Sequence, residues 1–174
     1  MIQKIFNRIR INIYRIKGAK IASKCAIYNG SEIRHPSRVH MNEGSVLYKS
    51  VSIMNDSNGS FSIGSLSHVA PFGYFLIADR SIHIGNNVAI GPFCAFYCKS
   101  NSYKDQNKKF TEQYSAADIS IGNNVFIGSH CVVLPGSVVP DNVVIAASSV
   151  VKGILESGYI YSGNPAVKVK SIQA

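Results

Sequence analysis

Along most of the chain an aliphatic or aromatic side chain returns at every sixth position, a spacing that fits neither a helix nor an alternating strand. Ile21, Ile27, Ile33 and Val39 open one series, which misses a beat at Ser45, continues at Val51 and resumes in phase at Ile63, Val69 and Phe75. Ile84, Ile90 and Phe96 form a second series in a shifted phase. Ile121, Ile127, Val133, Val139, Ile145 and Val151 form a third, which is unbroken. Such a period predicts one short strand and one turn per repeat, with a single apolar side chain pointing inward. Three repeats return the chain to its starting edge, so coils of about eighteen residues stack at strand spacing, roughly 4.8 Å. Gly85-Asn86-Asn87 and Gly122-Asn123-Asn124 supply corner residues that tolerate the backbone angles a tight turn imposes. The predicted fold is all-β, a parallel β-helix.

Three stretches depart from this rule. Between Asp79 and His83 the phase shifts over a few residues, which predicts a slightly irregular corner. Between Phe96 and Ile121 a polar segment, 99–118, is too long for a coil to absorb and must leave the body as a loop. At the start, Ile2, Ile5, Phe6, Ile9, Ile13 and Ile16 share one helical face, with Lys4, Arg8, Arg15 and Lys17 largely elsewhere. This amphipathic helix occupies residues 1–18, the β-helix with its loop excursion 19–160, and a C-terminal tail 161–174. The helix has two readings: a cap on the open end of the β-helix or against a neighbouring subunit, or an attachment to a membrane surface.

Composition narrows the function. The formal charge is +9, but six of the 18 basic residues (Lys4, Arg8, Arg10, Arg15, Lys17, Lys20) crowd the first twenty positions. No later basic stretch is interleaved with aromatics, which argues against nucleic acid as a partner. Cys25, Cys94, Cys98 and Cys131 form no CxxC pair and no zinc spacing, so reduced thiols and no metal are expected. With no apolar leader and no run long enough to span a bilayer, a cytoplasmic protein is expected, with the inner membrane face as the helix's alternative station.

The stretches IHIGNNVAIGPFCAF (82–96), ISIGNNVFIGSHCVVLPGSVVPDNVVIAASSVV (119–151) and SGNPAVKVK (162–170) resemble the hexapeptide-repeat acetyltransferases. They are most similar to the sugar and polysaccharide O-acetyltransferase branch, which includes the maltose and galactoside enzymes. The resemblance implies a left-handed β-helix, a homotrimer with active sites in the grooves between subunits, acetyl-CoA as donor and a glycan or sugar precursor as acceptor. It places coenzyme contacts at Phe126, Ser129 and Ala147, phosphate contacts at Lys152 and Lys168, and acceptor orientation at Asp79. Lys168 stands one position later than the family's basic residue.

Transfer from a thioester to a hydroxyl needs a base for the departing proton and donors for the tetrahedral oxyanion. Histidine suits the first task because it titrates near neutrality. In the resembling family that histidine opens the loop, and the matching position here is Asn101, whose amide accepts no proton near pH 7. Three explanations stand side by side: a substitution that disables the base, a naturally slow or inactive protein, or another base reaching the groove. Among the histidines, His83 and His68 are the candidate replacements, His68 on the expectation that it sits beside Asp79. His130 reads as a corner residue, and His35 and His40 lie in early coils. The expected activity is O-acetylation of a cell-surface sugar, with N-acetylation of an amino sugar and a non-catalytic trimeric binding protein as alternatives.

Overall fold

Each coil of the chain lays down three short parallel strands, and the coils stack into a three-faced prism, the left-handed parallel β-helix of hexapeptide repeats that the repeat and its resemblance imply. The computed structural model describes residues 2–173. Face A stacks Lys20–Ile21, Val39–Met41, Ser60–Ile63, Ser81–Ile84, Ile119–Ile121 and Val138–Val139. Face B runs from Ala26–Ile27 through Val46–Leu47, His68–Val69, Ala89–Ile90, Phe126–Ile127 and Val144–Ile145 to Tyr159–Ser162, then closes with Val167–Ser171 antiparallel to it. Face C stacks Glu32–Ile33, Ser52–Asn55, Tyr74–Ala78, Ala95–Tyr97, Val132–Val133 and Val150–Val151. Side chains of the six-residue beat fill the interior, where Phe75 stacks on Phe96 with ring centres 4.6 Å apart and meets Phe61 edge-on.

Register corrects one part of the pattern. Met41 pairs with Ile21 and Ile63, Leu47 with Ile27 and Val69, and Ile53 with Ile33 and Phe75. The second coil therefore keeps its beat at Met41, Leu47 and Ile53, two positions after Val39, Ser45 and Val51. Ser45 is no gap: it is fully buried beside Cys25, whose thiol lies 3.5 Å from its hydroxyl. Eight positions separate Ile33 from Met41 and ten separate Ile53 from Ile63, so two insertions together add one full repeat and restore the apparent phase. A third lengthening lies at Ala78–Arg80, and the largest is the loop 99–118. All four fall at the corner from face C to face A, while the other two corners stay regular.

Those regular corners hold residues in the left-handed region. From A to B they are Lys24, Gly44, Leu66, Asn87, Asn124 and Asn142; from B to C, Gly30, Ser50, Phe72, Phe93, His130 and Ser148. Left-handed backbone strains residues that carry a Cβ, and stacked neighbours offset the strain here. Phe72 and Phe93 lie face to face at 4.8 Å, and His130 stacks on Phe93 at 5.0 Å, which fixes His130 as a corner residue. Asparagine side chains make a second ladder: Asn86 receives the Ser65 amide N–H, Asn123 that of Asn86, and Asp141 that of Asn123.

The N-terminal helix, α1 (Ile2–Ile16), covers the open end of the first coil. Asn7 accepts from the Ile27 amide, Arg10 donates to the Ile27 carbonyl, Tyr14 to that of Ser31, and Arg15 to that of Ile21. These are the groups an unpaired strand edge leaves without partners. The cap is inverted relative to the sequence pattern. The polar face packs downward around the buried Ile11, and Ile5, Phe6, Ile9, Ile13 and Ile16 face outward.

Candidate active site

Asp79 stands at the lengthened C–A corner, directly after Ile77 and Ala78 turn the chain out of face C. Its carboxylate is exposed, with Arg80 Nε 3.6 Å away. The loop is rooted on both sides of it. The Cys98 amide donates to the Leu76 carbonyl at 2.8 Å, and Asp118 accepts the Ser81 amide N–H at 2.9 Å.

From these roots the loop rises as an antiparallel hairpin, Lys99–Asn101 against Tyr114–Ala116, with a 3-10 turn at Phe110–Glu112. Gln113, buried within the loop, organises its tip. Its side-chain oxygen accepts the Asp105 N–H, and its amide nitrogen donates to the Asp105 and Lys108 carbonyls. Lys99 lies over the Tyr114 ring, 4.6 Å from its centre. Asn101 Nδ2 donates to the Phe110 carbonyl at 2.7 Å. That bond fixes the amide's orientation, so Asn101 serves as a strut of the hairpin.

His83 lies in the same coil as Asp79, exposed on face A between Ser62 and Ser120. Its Nδ1 is 2.8 Å from Ser62 Oγ. With the proton on Nδ1 donated to Ser62, Nε2 carries the lone pair that a general base needs. His68 does not sit beside Asp79. It projects from face B, pairs with Val46 and Ala89, and meets the Tyr48 ring edge-on. A three-faced coil puts face B opposite the C–A corner, so sequence proximity of one coil did not become spatial proximity.

A groove of about 640 Å³ runs along face B near the A–B corner. Phe126 lies on its wall, half exposed, with Asn87, Asn124 and Asn142 along one side and Ser157, Gly158, Ile172 and Gln173 of the tail at its end. Ser129 and Ala147 lie at the neighbouring B–C corner and do not line it. There Gly91 and Gly128 are required by stacking: a Cβ on Gly128 would stand 2.5 Å from the Ala147 nitrogen. Lys152 is exposed just past the last strand of face C and has no ion-pair partner among the described residues. Lys168 is placed on a different element. It sits on the tail strand with its ammonium on Glu156 at 2.5 Å and 4.1 Å from the centre of the Tyr159 ring, and the Glu156 hydrogen bond raises its pKa. Its charge is already answered within the chain, whereas that of Lys152 is not, among the described residues.

The asparagine ladder and the tail residues of the groove were missed in the sequence. The signal available was the repeated Gly-Asn-Asn, read there only as a turn. All four cysteines are buried and free. Burial, followed by the nearby Asp118 charge, pushes the Cys98 thiol up to about 12.

Residues 118–153 match the model of the bacterial transferase hexapeptide (six repeats). The galactoside O-acetyltransferase of Escherichia coli K12 is 32% identical over 117 residues, 64% of this chain and 57% of that protein. The chain thus spans little more than half of that relative's length. Among solved structures, a mutant of AntD, an N-acyltransferase from Bacillus cereus, in complex with dTDP and coenzyme A, has a TM-score of 0.82 at 20% identity, covering 92% of this chain and 87% of its own. A hexapeptide-repeat containing acetyltransferase from Vibrio cholerae has a TM-score of 0.67 at 20% identity, covering 95% and 81%.

Proposed function

We propose that this hexapeptide-repeat protein is an acetyl-CoA-dependent acetyltransferase that acts on a sugar hydroxyl as a homotrimer in the cytoplasm. The observation that supports the reading is the hairpin rooted on both sides of Asp79, which brings the loop and the Asp79 carboxylate to one corner. The similarity to galactoside O-acetyltransferase supports both the chemistry and the acceptor class. Asp79 accepts hydrogen bonds from acceptor hydroxyls and orients one of them. Asn101 and backbone amides of the hairpin supply polarity beside the reacting carbonyl. Coenzyme binding is assigned to the Phe126 groove, where the half-exposed ring offers an apolar wall and the asparagines offer donors. Lys152 answers phosphate charge.

That groove and the Asp79 corner lie on opposite sides of one prism, so a complete site needs the hairpin of one subunit over the groove of another. The base is His83, the histidine on the same coil as Asp79. Amino-sugar N-acetylation is the second reading, supported by the bonded amide of Asn101, because an amine nucleophile depends less on a base at that position.

The test is thiol release from acetyl-CoA with hydroxyl and amine sugar acceptors, for the native chain, His83→Gln and Asn101→His. The expected outcome is a fall of about 10²- to 10⁴-fold for His83→Gln with hydroxyl acceptors and a gain for Asn101→His. Unchanged turnover in His83→Gln removes it as base. Preference for amine acceptors favours N-acetylation, and silence with no acetyl-CoA binding favours the non-catalytic reading.

A further inference from the structure

The apolar stripe of α1 is left open by the way the helix caps the prism. Ile5, Phe6, Ile9, Ile13 and Ile16 are between 47% and 86% exposed, whereas the residues that hold the helix down are Asn7, Arg10, Ile11, Tyr14 and Arg15. The stripe therefore forms the outermost surface at one end of the molecule. Exposed cations edge it, Lys4 and Arg8 on one side and Lys17 on the other, and the chain has no acidic residue before Glu32.

We propose that this stripe seats the protein on an anionic lipid bilayer surface. A flat apolar face with a cationic rim is the arrangement by which a helix lies in a membrane interface, its apolar residues at the acyl boundary and its lysines and arginines among anionic headgroups. Pairing with the same stripe on a second copy would set Lys4, Arg8 and Lys17 of both against one another. No acidic patch elsewhere on a second copy matches the rim: the nine acidic residues are scattered, and six of them are already in ion pairs. A bilayer supplies both parts of the missing complement, apolar depth and negative charge. Among the described residues no helix is long and apolar enough to cross a membrane, so the attachment lies along the surface. The inference stands independently of acyl transfer.

The experiment is co-sedimentation of the protein with vesicles of phosphatidylcholine alone or with about 30% phosphatidylglycerol. The expected result is binding to the anionic vesicles only, weakened at about 0.5 M salt. An Ile9→Asp/Ile13→Asp double variant, altered on the exposed side of the helix away from the buried Ile11, keeps its melting temperature within a few degrees and loses at least about tenfold in partitioning. Lys4→Glu/Arg8→Glu weakens binding in the same direction. Equal behaviour toward both vesicle types, or undiminished binding of the Ile9/Ile13 variant, overturns the proposal. So does a native chain that ignores vesicles while the same variant lowers the mass seen by light scattering, which would make the stripe a contact between copies.

Discussion

Asn101 has one job the structure shows, and the proposed site would ask a second of its position. Its amide ties the hairpin arm to the Phe110 carbonyl, so a histidine there must both keep the hairpin closed and free a nitrogen for the acceptor. Gly128 is decided by stacking alone. Gly128→Ala should cost about 1–3 kcal/mol, read from urea denaturation, because the added methyl meets the Ala147 backbone, which has no room to yield. Cys98 gives a pH prediction with a definite sign. Its thiol is pushed from 9.0 to about 12 in the folded chain, so the folded state holds a proton that the unfolded state releases. Its contribution is full below the unfolded value and is lost as the pH rises toward the folded one. Urea midpoints should therefore fall through this alkaline window, and the fall should be shallower in Cys98→Ala.

At the scale of elements, the helix and the hairpin are held by few residues, and those residues can be separated from their neighbours by experiment. Ile11 is the buried anchor of α1, and Ile11→Ala should destabilise the chain by about 2–5 kcal/mol. Ile13→Ala, on the outward stripe, should stay within about 0.5 kcal/mol. Both follow from denaturant midpoints. The periodicity of α1 was legible in the sequence and its orientation was not. An apolar stripe normally marks the buried side, but here the strand edge demands hydrogen bonds, and only the asparagine and arginine face can supply them. The hairpin depends in the same way on Gln113. Gln113→Ala leaves the Asp105 amide and the Lys108 carbonyl without the side-chain partner they have now, and leaves the Asp105 carbonyl only the Lys108 N–H. It should speed proteolytic cleavage between 103 and 110 and lower turnover, with the melting temperature of the β-helix nearly unchanged, since the coils do not depend on the loop tip.

For the whole molecule, one regular body carries all its irregularity along a single edge. Insertions at Pro36–Arg38, 55–59, Ala78–Arg80 and 99–118 all project from the C–A corner, and the Phe126 groove lies across the prism. A site shared between subunits predicts a mass of three chains in sedimentation equilibrium. It also predicts complementation: mixed trimers of Asp79→Asn with Phe126→Asp should recover activity that neither variant has alone. In a cyclic trimer of two variants, about a third of the sites join an intact hairpin to an intact groove. No recovery after co-refolding would mean that hairpin and groove belong to separate functions.

The sequence by itself determined the six-residue beat, the three-strand coil and the excursion at 99–118. Each is a local matter: side-chain polarity over a few residues decides whether a strand faces inward, turns or leaves the body. Tertiary structure alone decided the register of the second coil, the outward stripe of α1, the separation of His68 from Asp79 and the pairing of Lys168 with Glu156. Those depend on which backbone stacks on which. Insertions that together add one full repeat leave the sequence phase intact while moving every side chain between them, and only the hydrogen bonds between coils show where each one went.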